Sequence, residues 1–298
     1  MSEILTTNNL RKTYRNVVAL EGLSLNVERG QVFGLLGPNG SGKTTTLGIL
    51  LGVIQPDNGT YSWFKNGDKE ENRKNIGALL ETPNFYPYLN AVDNLKIVAK
   101  IKGVENASEK IEKTLKRVNL WERKNSKFKT FSLGMKQRLA IASAMLSDPE
   151  VMVLDEPTNG LDPQGISEMR SLIIEIAKEG KTIIIASHLL DEIEKICSHV
   201  AILKNGKLLQ VGTLEEVTTQ ERVLIIAGED KNKLTKAIDS LTQVHLIKEE
   251  ENGALMIGVD EKYTSADVNK FFADQGVYLS SLNEYKKNLE SIFLEIVK

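Results

Sequence analysis

The 298-residue sequence has little cysteine, few aromatic residues and almost no net charge. Its single cysteine, Cys197, excludes an internal disulfide and a cluster of cysteine thiolates around a metal. The 38 Lys and Arg residues nearly balance the 40 Asp and Glu residues, so the formal net charge is −2. This balance argues against a protein that coats nucleic acid with a basic face. The remaining composition, 41% hydrophobic and 26% charged, is typical of a folded globular protein.

Long hydrophobic runs are also missing. The longest apolar stretches, such as residues 183–186, fall far short of the roughly 18 residues that a membrane span needs. The first residues lack the basic region and apolar core of a signal peptide, so none is expected. Any role at a membrane is therefore expected to depend on a partner protein.

The first two thirds of the chain have an α/β pattern. Short apolar runs at residues 32–36, 151–154, 182–186 and 200–203 predict buried parallel strands, and a loop and a helix-compatible stretch follow each of the first three. Helix formers dominate the intervening stretch, which predicts an inserted helical subdomain at about 84–146. The dipeptide Asn205-Gly206 between two apolar runs predicts a hairpin.

A second pattern begins near residue 219. Strands are predicted at 223–227, 244–248, 254–259 and 277–281, helices at 231–241 and 265–272, and a turn at 251–253. This β-α-β-β-α-β order predicts a split βαβ, ferredoxin-like α+β domain. The sequence therefore predicts two domains, 1–218 and 219–298. The chain closes with apolar residues at helical spacing, which favour packing within the molecule over a partner interface: Leu289, Ile292, Phe293 and Ile296.

Residues 37–44, Gly-Pro-Asn-Gly-Ser-Gly-Lys-Thr, match the phosphate-loop pattern G-x-x-x-x-G-K-[ST]. The glycines let backbone N–H groups curl around phosphates, and the following helix directs its positive end toward them. Lys43 can reach the β- and γ-phosphates, and the Thr44 hydroxyl can bind Mg²⁺. The expected nucleotide-binding residues here are Gly37, Pro38, Asn39, Gly40, Ser41, Gly42, Lys43, Thr44 and Thr45.

Two carboxylates end the apolar run at 151–154. Asp155 is placed to hold Mg²⁺ through its water shell, and Glu156 faces the opposite side of the strand. Glu156 is therefore expected to orient or deprotonate an attacking water molecule. A phosphate loop followed by such a pair predicts a P-loop nucleoside triphosphatase.

Over about residues 1–215, these motifs and their order resemble the nucleotide-binding subunits of ATP-binding-cassette (ABC) transporters. Tyr14 stands where the family has an aromatic that stacks on adenine. Residues 131–135, Phe-Ser-Leu-Gly-Met, stand at the signature motif, and the resemblance implies that Ser132 and Gly134 bind the γ-phosphate held by a second subunit. Residues 159–162 resemble the loop that crosses the dimer interface. His188 ends a strand as the family's switch histidine does, which implies a γ-phosphate contact.

Two departures from the family pattern stand out. Leu133 and Met135 replace Gly and Gln of the signature, although Ser132 and Gly134 remain. Glu81 stands where the family has a glutamine that touches Mg²⁺ and signals to the membrane subunit. A glutamate there can still ligate the metal but adds a charge. Both departures, and the residues at 288–293, resemble cassette proteins of bacitracin, lantibiotic and multidrug exporters.

The resemblance implies an ATPase that uses ATP and Mg²⁺ to power a separate, multi-spanning permease, with export of an antibiotic, peptide or other amphiphile. Lys43, Glu156 and His188 are then the catalytic residues, and Thr44, Asp155 and Glu81 the metal-binding ones. A second copy of the chain, or a homologous subunit, completes the ATP sandwich. Nucleic acid is not expected as a partner. The expected location is the cytoplasmic face of the membrane, held through the permease. Residues 81–94 are a candidate contact with the permease, and packing within the helical subdomain is the equal alternative for them.

Two other interpretations remain open at this level. A soluble ABC ATPase that acts on ribosomes or DNA is the first, although such members usually carry two cassettes or a long coiled coil. A C-terminal domain that senses a small molecule, or that braces the dimer or the permease contact, is the second. The split βαβ fold hosts many functions and does not decide between these roles.

Overall fold

The computed structural model describes residues 2–65, 70–81, 84–218, 222–250, 252–260, 262–285 and 288–297. It divides into two compact units, Met1–Leu214 and Glu215–Lys298. No helix of these described ranges reaches the length and apolarity that crossing a membrane requires.

The strands of the first unit are β1 (Glu3–Tyr14), β2 (Val17–Glu28), β3 (Val32–Leu36), β4 (Asn58–Trp63), β5 (Ile76–Leu79), β6 (Val151–Asp155), β7 (Thr182–Ser187), β8 (His199–Lys204) and β9 (Lys207–Thr213). The helices that begin in it are α1 (Lys43–Leu50), α2 (Ala91–Lys102), α3 (Ala107–Arg117), α4 (Leu133–Met145), α5 (Pro163–Lys178), α6 (Leu190–Ile196) and α7 (Leu214–Thr218).

A six-stranded sheet in the order β5-β6-β7-β3-β8-β9 forms the centre of this unit. All of its pairs are parallel except β8–β9. Every residue of β3, β6 and β7 is buried, as the unbroken apolar runs predict for strands covered on both faces. The predicted α/β core is therefore confirmed, and α1, α5 and α6 follow the three strands. The predicted hairpin is also confirmed, since Asn205 and Gly206 join β8 to β9 with φ of 51° and 78°.

A second, antiparallel sheet of β2-β1-β4 packs onto this core, and the sequence patterns had not predicted it. Its long strands carry several register shifts, for example between Thr7 and Leu10 of β1, which break the alternation that marks a strand. Trp63 ends β4 and is only 1% exposed, and its indole N–H donates to the Leu50 carbonyl 2.7 Å away. This bond ties the sheet to the end of α1.

Helices α2, α3 and α4 all lie between β5 and β6. Side chains cap two of them: Asn90 accepts from the Asp93 N–H at the start of α2, and Ser132 accepts from the Met135 N–H at the start of α4. The cap at Ser132 sets the first residue of α4 and so places the signature-like residues at a helix start.

The second unit contains β10 (Arg222–Gly228), α8 (Lys231–Ser240), β11 (Val244–Glu249), β12 (Leu255–Val259), α9 (Ser265–Asp274), β13 (Leu279–Tyr285) and α10 (Leu289–Val297). Its antiparallel sheet has the order β11-β12-β10-β13. The predicted bounds of the last strand, 277–281, are wrong. Strand β13 begins at Leu279 and continues to Tyr285. Val277 instead belongs to the turn that ends α9, where its N–H donates to the Phe272 carbonyl. Residue 251 of the predicted turn lies outside the described residues.

Candidate functional site

The candidate site lies at the carboxyl ends of β3, β6 and β7. Register brings these ends together, since Leu36 pairs with Ser187 and Asp155 pairs with Ala186. The loop at 37–42 leaves β3 and enters α1, whose first residues are Lys43, Thr44 and Thr45. Ligands of open parallel sheets bind at this kind of edge.

Backbone shape makes the loop a concave phosphate cradle. Gly40 and Gly42 have φ of +79° and +106°, which L-residues rarely adopt. A Cβ on Gly42 would lie 2.5 Å from the Ala19 carbonyl oxygen of β2, so the loop rests on that strand. The hairpin supports it from another side, because the Gly206 N–H donates to the Ser41 carbonyl 3.0 Å away. No side chain caps α1, so its first N–H groups remain available to an anion.

Lys43 is held inside this loop and is only 6% exposed. Its Nζ donates to the carbonyl oxygens of Gly37, at 2.7 Å, and Pro38, at 3.3 Å. Burial lowers the pKa of the Lys43 ammonium, while the nearby charges of Glu156 and Asp155 act in the opposite direction. The ammonium thus lies between the loop and the two carboxylates.

Thr44 and Asp155 form a pair of oxygen-bearing side chains that can bind a divalent cation. The Thr44 hydroxyl donates to Oδ2 of Asp155 at 3.0 Å, and Asp155 is 2% exposed. Its other oxygen, Oδ1, is buried and has no hydrogen-bond partner among the described residues. Burial raises the pKa of the Asp155 carboxyl, and the charges of Glu156 and Glu81 add to that rise. A buried, unpaired carboxylate oxygen beside a hydroxyl fits Mg²⁺, which binds through one or two protein groups plus phosphates.

Glu156 sits in a left-handed backbone conformation, with φ of 48°. Three groups meet its Oε2 atom: Nδ1 of His188 at 2.8 Å, the Ser187 hydroxyl at 3.3 Å and the His188 N–H at 3.4 Å. Its Oε1 atom lies 4.0 Å from Nζ of Lys43. The ends of β6 and β7 therefore hold this carboxylate in one orientation beside the loop.

Glu81 and Tyr14 lie at the margins of this group. Glu81 follows β5, is exposed and has φ of 52°. It is close enough to influence the Asp155 pKa, while residues 82 and 83 lie outside the described ranges. Tyr14 ends β1 and is 44% exposed, with Nζ of Lys12 at 5.5 Å from its ring centre.

Ser132 and Gly134 belong to a different surface. They line a cavity of about 410 Å³ together with Gly160 and Asp162, and no residue of the phosphate loop is among its lining residues. Asp162 caps α5 by accepting from the Gly165 N–H at 2.9 Å, so the starts of α4 and α5 face the same cavity. Within one chain the structure thus brings Lys43 and its neighbours together and leaves the signature residues apart.

Sequence reasoning overlooked one member of the site, Ser187. Its hydroxyl donates to Glu156, as noted above, and accepts from the Leu189 N–H at 3.1 Å. The available signal was a polar residue that ends a fully buried strand directly before His188. The site therefore combines a phosphate cradle that holds a cation, a carboxylate suited to a metal and a second, oriented carboxylate. Transfer of a phosphoryl group to water requires these groups together.

The family model and the relatives that match this chain all describe transport proteins. A family model described as ABC transporter matches residues 20–159. The bacitracin transport ATP-binding protein BcrA of Bacillus licheniformis is 38% identical over 304 residues, covering 100% of this chain and 98% of that protein. The lantibiotic transport ATP-binding protein SrtF of Streptococcus pyogenes is 38% identical over 206 residues, covering 69% of this chain and 89% of that protein.

Solved structures of ATP-binding cassettes also match this chain. A dimeric ATP-binding cassette in a post-hydrolysis state, bound to ADP and Pi, superimposes with a TM-score of 0.64 at 26% identity. The alignment covers 71% of this chain and 99% of that one.

Proposed function

Because this chain belongs to the ATP-binding subunits of ABC transporters, which hydrolyse ATP to power transport, we propose that its site binds Mg-ATP and drives export of an antibiotic, peptide or similar amphiphile through a separate permease. We assign the ATP-binding domain to residues 1–218, with a helical subdomain at about 84–146, and an accessory domain to 219–298. The observation that carries the proposal is the convergence of Lys43, Asp155 and Glu156 at one edge of the sheet.

The phosphate loop and the start of α1 bind the nucleotide. N–H groups of residues 37–45 surround the phosphates, and Lys43 exchanges its two carbonyl partners for phosphate oxygens. Thr44 and Asp155 hold Mg²⁺, with Glu81 as a third oxygen donor, and the unpartnered Oδ1 of Asp155 supports this assignment. When bound there, Mg²⁺ would supply positive charge beside the phosphates. Tyr14 offers an exposed ring on which adenine can stack.

Hydrolysis depends on Glu156 as the group that orients water and accepts its proton. Ser187 and His188 hold one carboxylate oxygen, and the other, 4.0 Å from Nζ of Lys43, is left to face the attacking water. Lys43 stabilises the negative charge of the departing phosphoryl group. The assignment predicts that His188 contributes by orienting Glu156 and by reaching the γ-phosphate.

A second subunit completes the site. Ser132 and Gly134 lie on their own cavity, away from the loop of the same chain, so they are available to the nucleotide held by another cassette. The helix start that Ser132 caps favours an anion. A second copy of this chain or a homologous subunit can supply the partner site, and the dimeric cassette described above supports the arrangement.

The permease contact is proposed at a surface cavity of about 330 Å³ beside α2. Phe85 and Tyr86 line it together with Ile97 and Ile101. Two of these side chains are unusually open, since Ile101 is 80% exposed and Tyr86 is 50% exposed. Apolar side chains exposed side by side at one surface are typical of interaction sites. This surface includes part of the 81–94 segment and is expected to hold the protein at the cytoplasmic face of the membrane.

The cargo is proposed from the bacitracin and lantibiotic transport relatives, and export as the direction from the resemblance of Glu81, Leu133 and Met135 to the corresponding residues of exporter cassettes. The alternative of a soluble ATPase on ribosomes or DNA gains no support from those relatives, and the net charge of −2 also disfavours it.

Affinity purification from the native cells in mild detergent tests the proposal. The tagged protein is expected to bring down a stoichiometric polypeptide with several apolar spans of about 20 residues each. The variant Ile101→Asp is expected to lose that polypeptide, and Ile247→Asp, at an exposed position of the second unit, serves as the matched control. Recovery of ribosomal proteins or nucleic acid without a membrane protein would contradict the proposal.

A further inference from the structure

An ion pair joins the two helices that follow the catalytic carboxylate and the histidine. Helix α5 begins at Pro163, after the loop that leaves Glu156, and α6 begins at Leu190, directly beyond His188 and Leu189. Nη1 of Arg170 on α5 lies 2.7 Å from Oε1 and 2.8 Å from Oε2 of Glu192 on α6. Charge-assisted contacts of this kind are among the stronger hydrogen bonds in proteins.

Contacts with the rest of the unit supply much of the stability of helix α6. It has 7 residues, and no side chain caps it at Leu189, and helices this short are marginal in isolation. Two side chains fix it to the unit. Ile193 is 1% exposed and packs over Gly34 of β3, and the Glu192 side chain is 13% exposed and faces Arg170.

A continuous run of hydrogen bonds connects this helix to the site. The Glu192 N–H donates to the Leu189 carbonyl at 3.1 Å. The Leu189 N–H donates to the Ser187 hydroxyl at 3.1 Å, which in turn donates to Glu156 at 3.3 Å. His188 is the residue between Ser187 and Leu189, and its Nδ1 meets the same Glu156 oxygen, Oε2, at 2.8 Å. A shift of the first turn of α6 would therefore move the backbone that carries the histidine.

We propose that Arg170 is a positioning residue for ATP hydrolysis: its ion pair with Glu192 fixes the first turn of α6 and thereby holds His188 against Glu156. This inference rests on the proposed function, in which His188 orients that carboxylate. Arg170 is itself fixed on α5, since its Nη2 donates to the Ser167 hydroxyl at 3.3 Å. The other cation near Glu192, Lys195, is 3.5 Å away and 55% exposed, so it is a natural control.

Steady-state hydrolysis by the full chain tests the proposal. Arg170→Met is expected to lower kcat about tenfold and to leave KM for Mg-ATP within about twofold, because neither the phosphate loop nor the metal-binding groups take part in the connection. Arg170→Lys and the exchanged pair Arg170→Glu with Glu192→Arg are expected to recover most of the rate. Lys195→Met is expected to behave as the parent. All rates are measured well below each variant's unfolding temperature, so a purely stabilising role would not lower kcat.

The variant His188→Ala, measured in the same assay, separates the role of the histidine from the role of Arg170. A normal kcat for Arg170→Met with a slowed His188→Ala would overturn the proposal and leave the proposed function intact. A slowed Arg170→Met with a normal His188→Ala would overturn the route through the histidine. A rise in KM as large as the fall in kcat would assign Arg170 to nucleotide binding, which also overturns the proposal.

Discussion

Replacement of Glu156 by glutamine is the most informative change at the site, because the two side chains have nearly the same shape. All three hydrogen-bond contacts converge on one oxygen, Oε2, at 2.8, 3.3 and 3.4 Å. The amide oxygen of glutamine can take that place and accept from the same groups. The variant is therefore expected to keep the local fold.

What glutamine removes is the charge and the basicity. The attraction to Lys43 across 4.0 Å is lost, which for a partly exposed pair costs about 0.5–1 kcal/mol of folding free energy. Loss of a general base costs about 10²- to 10⁴-fold in rate, equivalent to roughly 3–5 kcal/mol of activation free energy. We expect the kcat of the variant to be about 10⁻³ of the parent value, which is the middle of that range.

Three measurements on Glu156→Gln check this reasoning: phosphate release, ATP binding and elution from a sizing column with ATP present. We expect slow release, affinity close to that of the parent and accumulation of an ATP-bound dimer. Glu175→Gln, an exposed carboxylate of α5, is the matched control and should change none of them. A Glu156→Gln protein that turns over at the parental rate would refute the role of this carboxylate.

Four further predictions concern the same site. Lys43→Ala should abolish hydrolysis in a phosphate-release assay, because no other buried cation lines the loop among the described residues. Asp155→Asn should lose Mg²⁺-dependent hydrolysis yet raise the thermal midpoint of the nucleotide-free chain, since burial raises the pKa of Asp155 and so disfavours its charged form. That gain should shrink as pH falls, because the folded carboxyl then takes up its proton. Gly42→Ala should destabilise the chain by about 1–3 kcal/mol in denaturant unfolding, given its φ of +106° and the close Ala19 carbonyl. Glu81→Gln should leave hydrolysis within about twofold of the parent and shift its Mg²⁺ dependence, because one negative charge near Asp155 is removed.

Each of these has a clear contrary result. Undiminished hydrolysis by Lys43→Ala would remove the phosphate loop from the reaction. A lower thermal midpoint for Asp155→Asn would show that the buried carboxylate stabilises the empty site. Normal stability of Gly42→Ala would mean that the loop shifts away from β2, and an unchanged Mg²⁺ profile for Glu81→Gln would place that residue outside the metal site.

The sequence was informative wherever residue type and spacing are dictated by backbone geometry. The unbroken apolar runs located β3, β6 and β7, and the glycine pattern located the loop between β3 and α1. The phosphate loop also gave Asp155 its predicted role as a metal ligand, and the family resemblance implied that His188 reaches the γ-phosphate. In contrast, β1 and β2 escaped prediction, since their register shifts hide the two-residue period.

Contacts between residues far apart in the chain were beyond sequence reasoning. Nothing local in Arg170 or Glu192 indicates that the two side chains meet across α5 and α6. The role of Ser187 depends on a left-handed Glu156 that turns its carboxylate back toward β7. The start of β13 at Leu279 likewise follows from how the chain leaves α9 rather than from the local apolar pattern.

Equilibrium titration of Mg-ATP into the full chain tests the central claim most directly, with the parent and Lys43→Ala compared under identical conditions. The account predicts saturable, Mg²⁺-dependent binding by the parent that Lys43→Ala weakens by at least about 100-fold, because the cation that faces the phosphates is gone. Equal binding by the two proteins, or no binding by the parent, would contradict the assignment of this site.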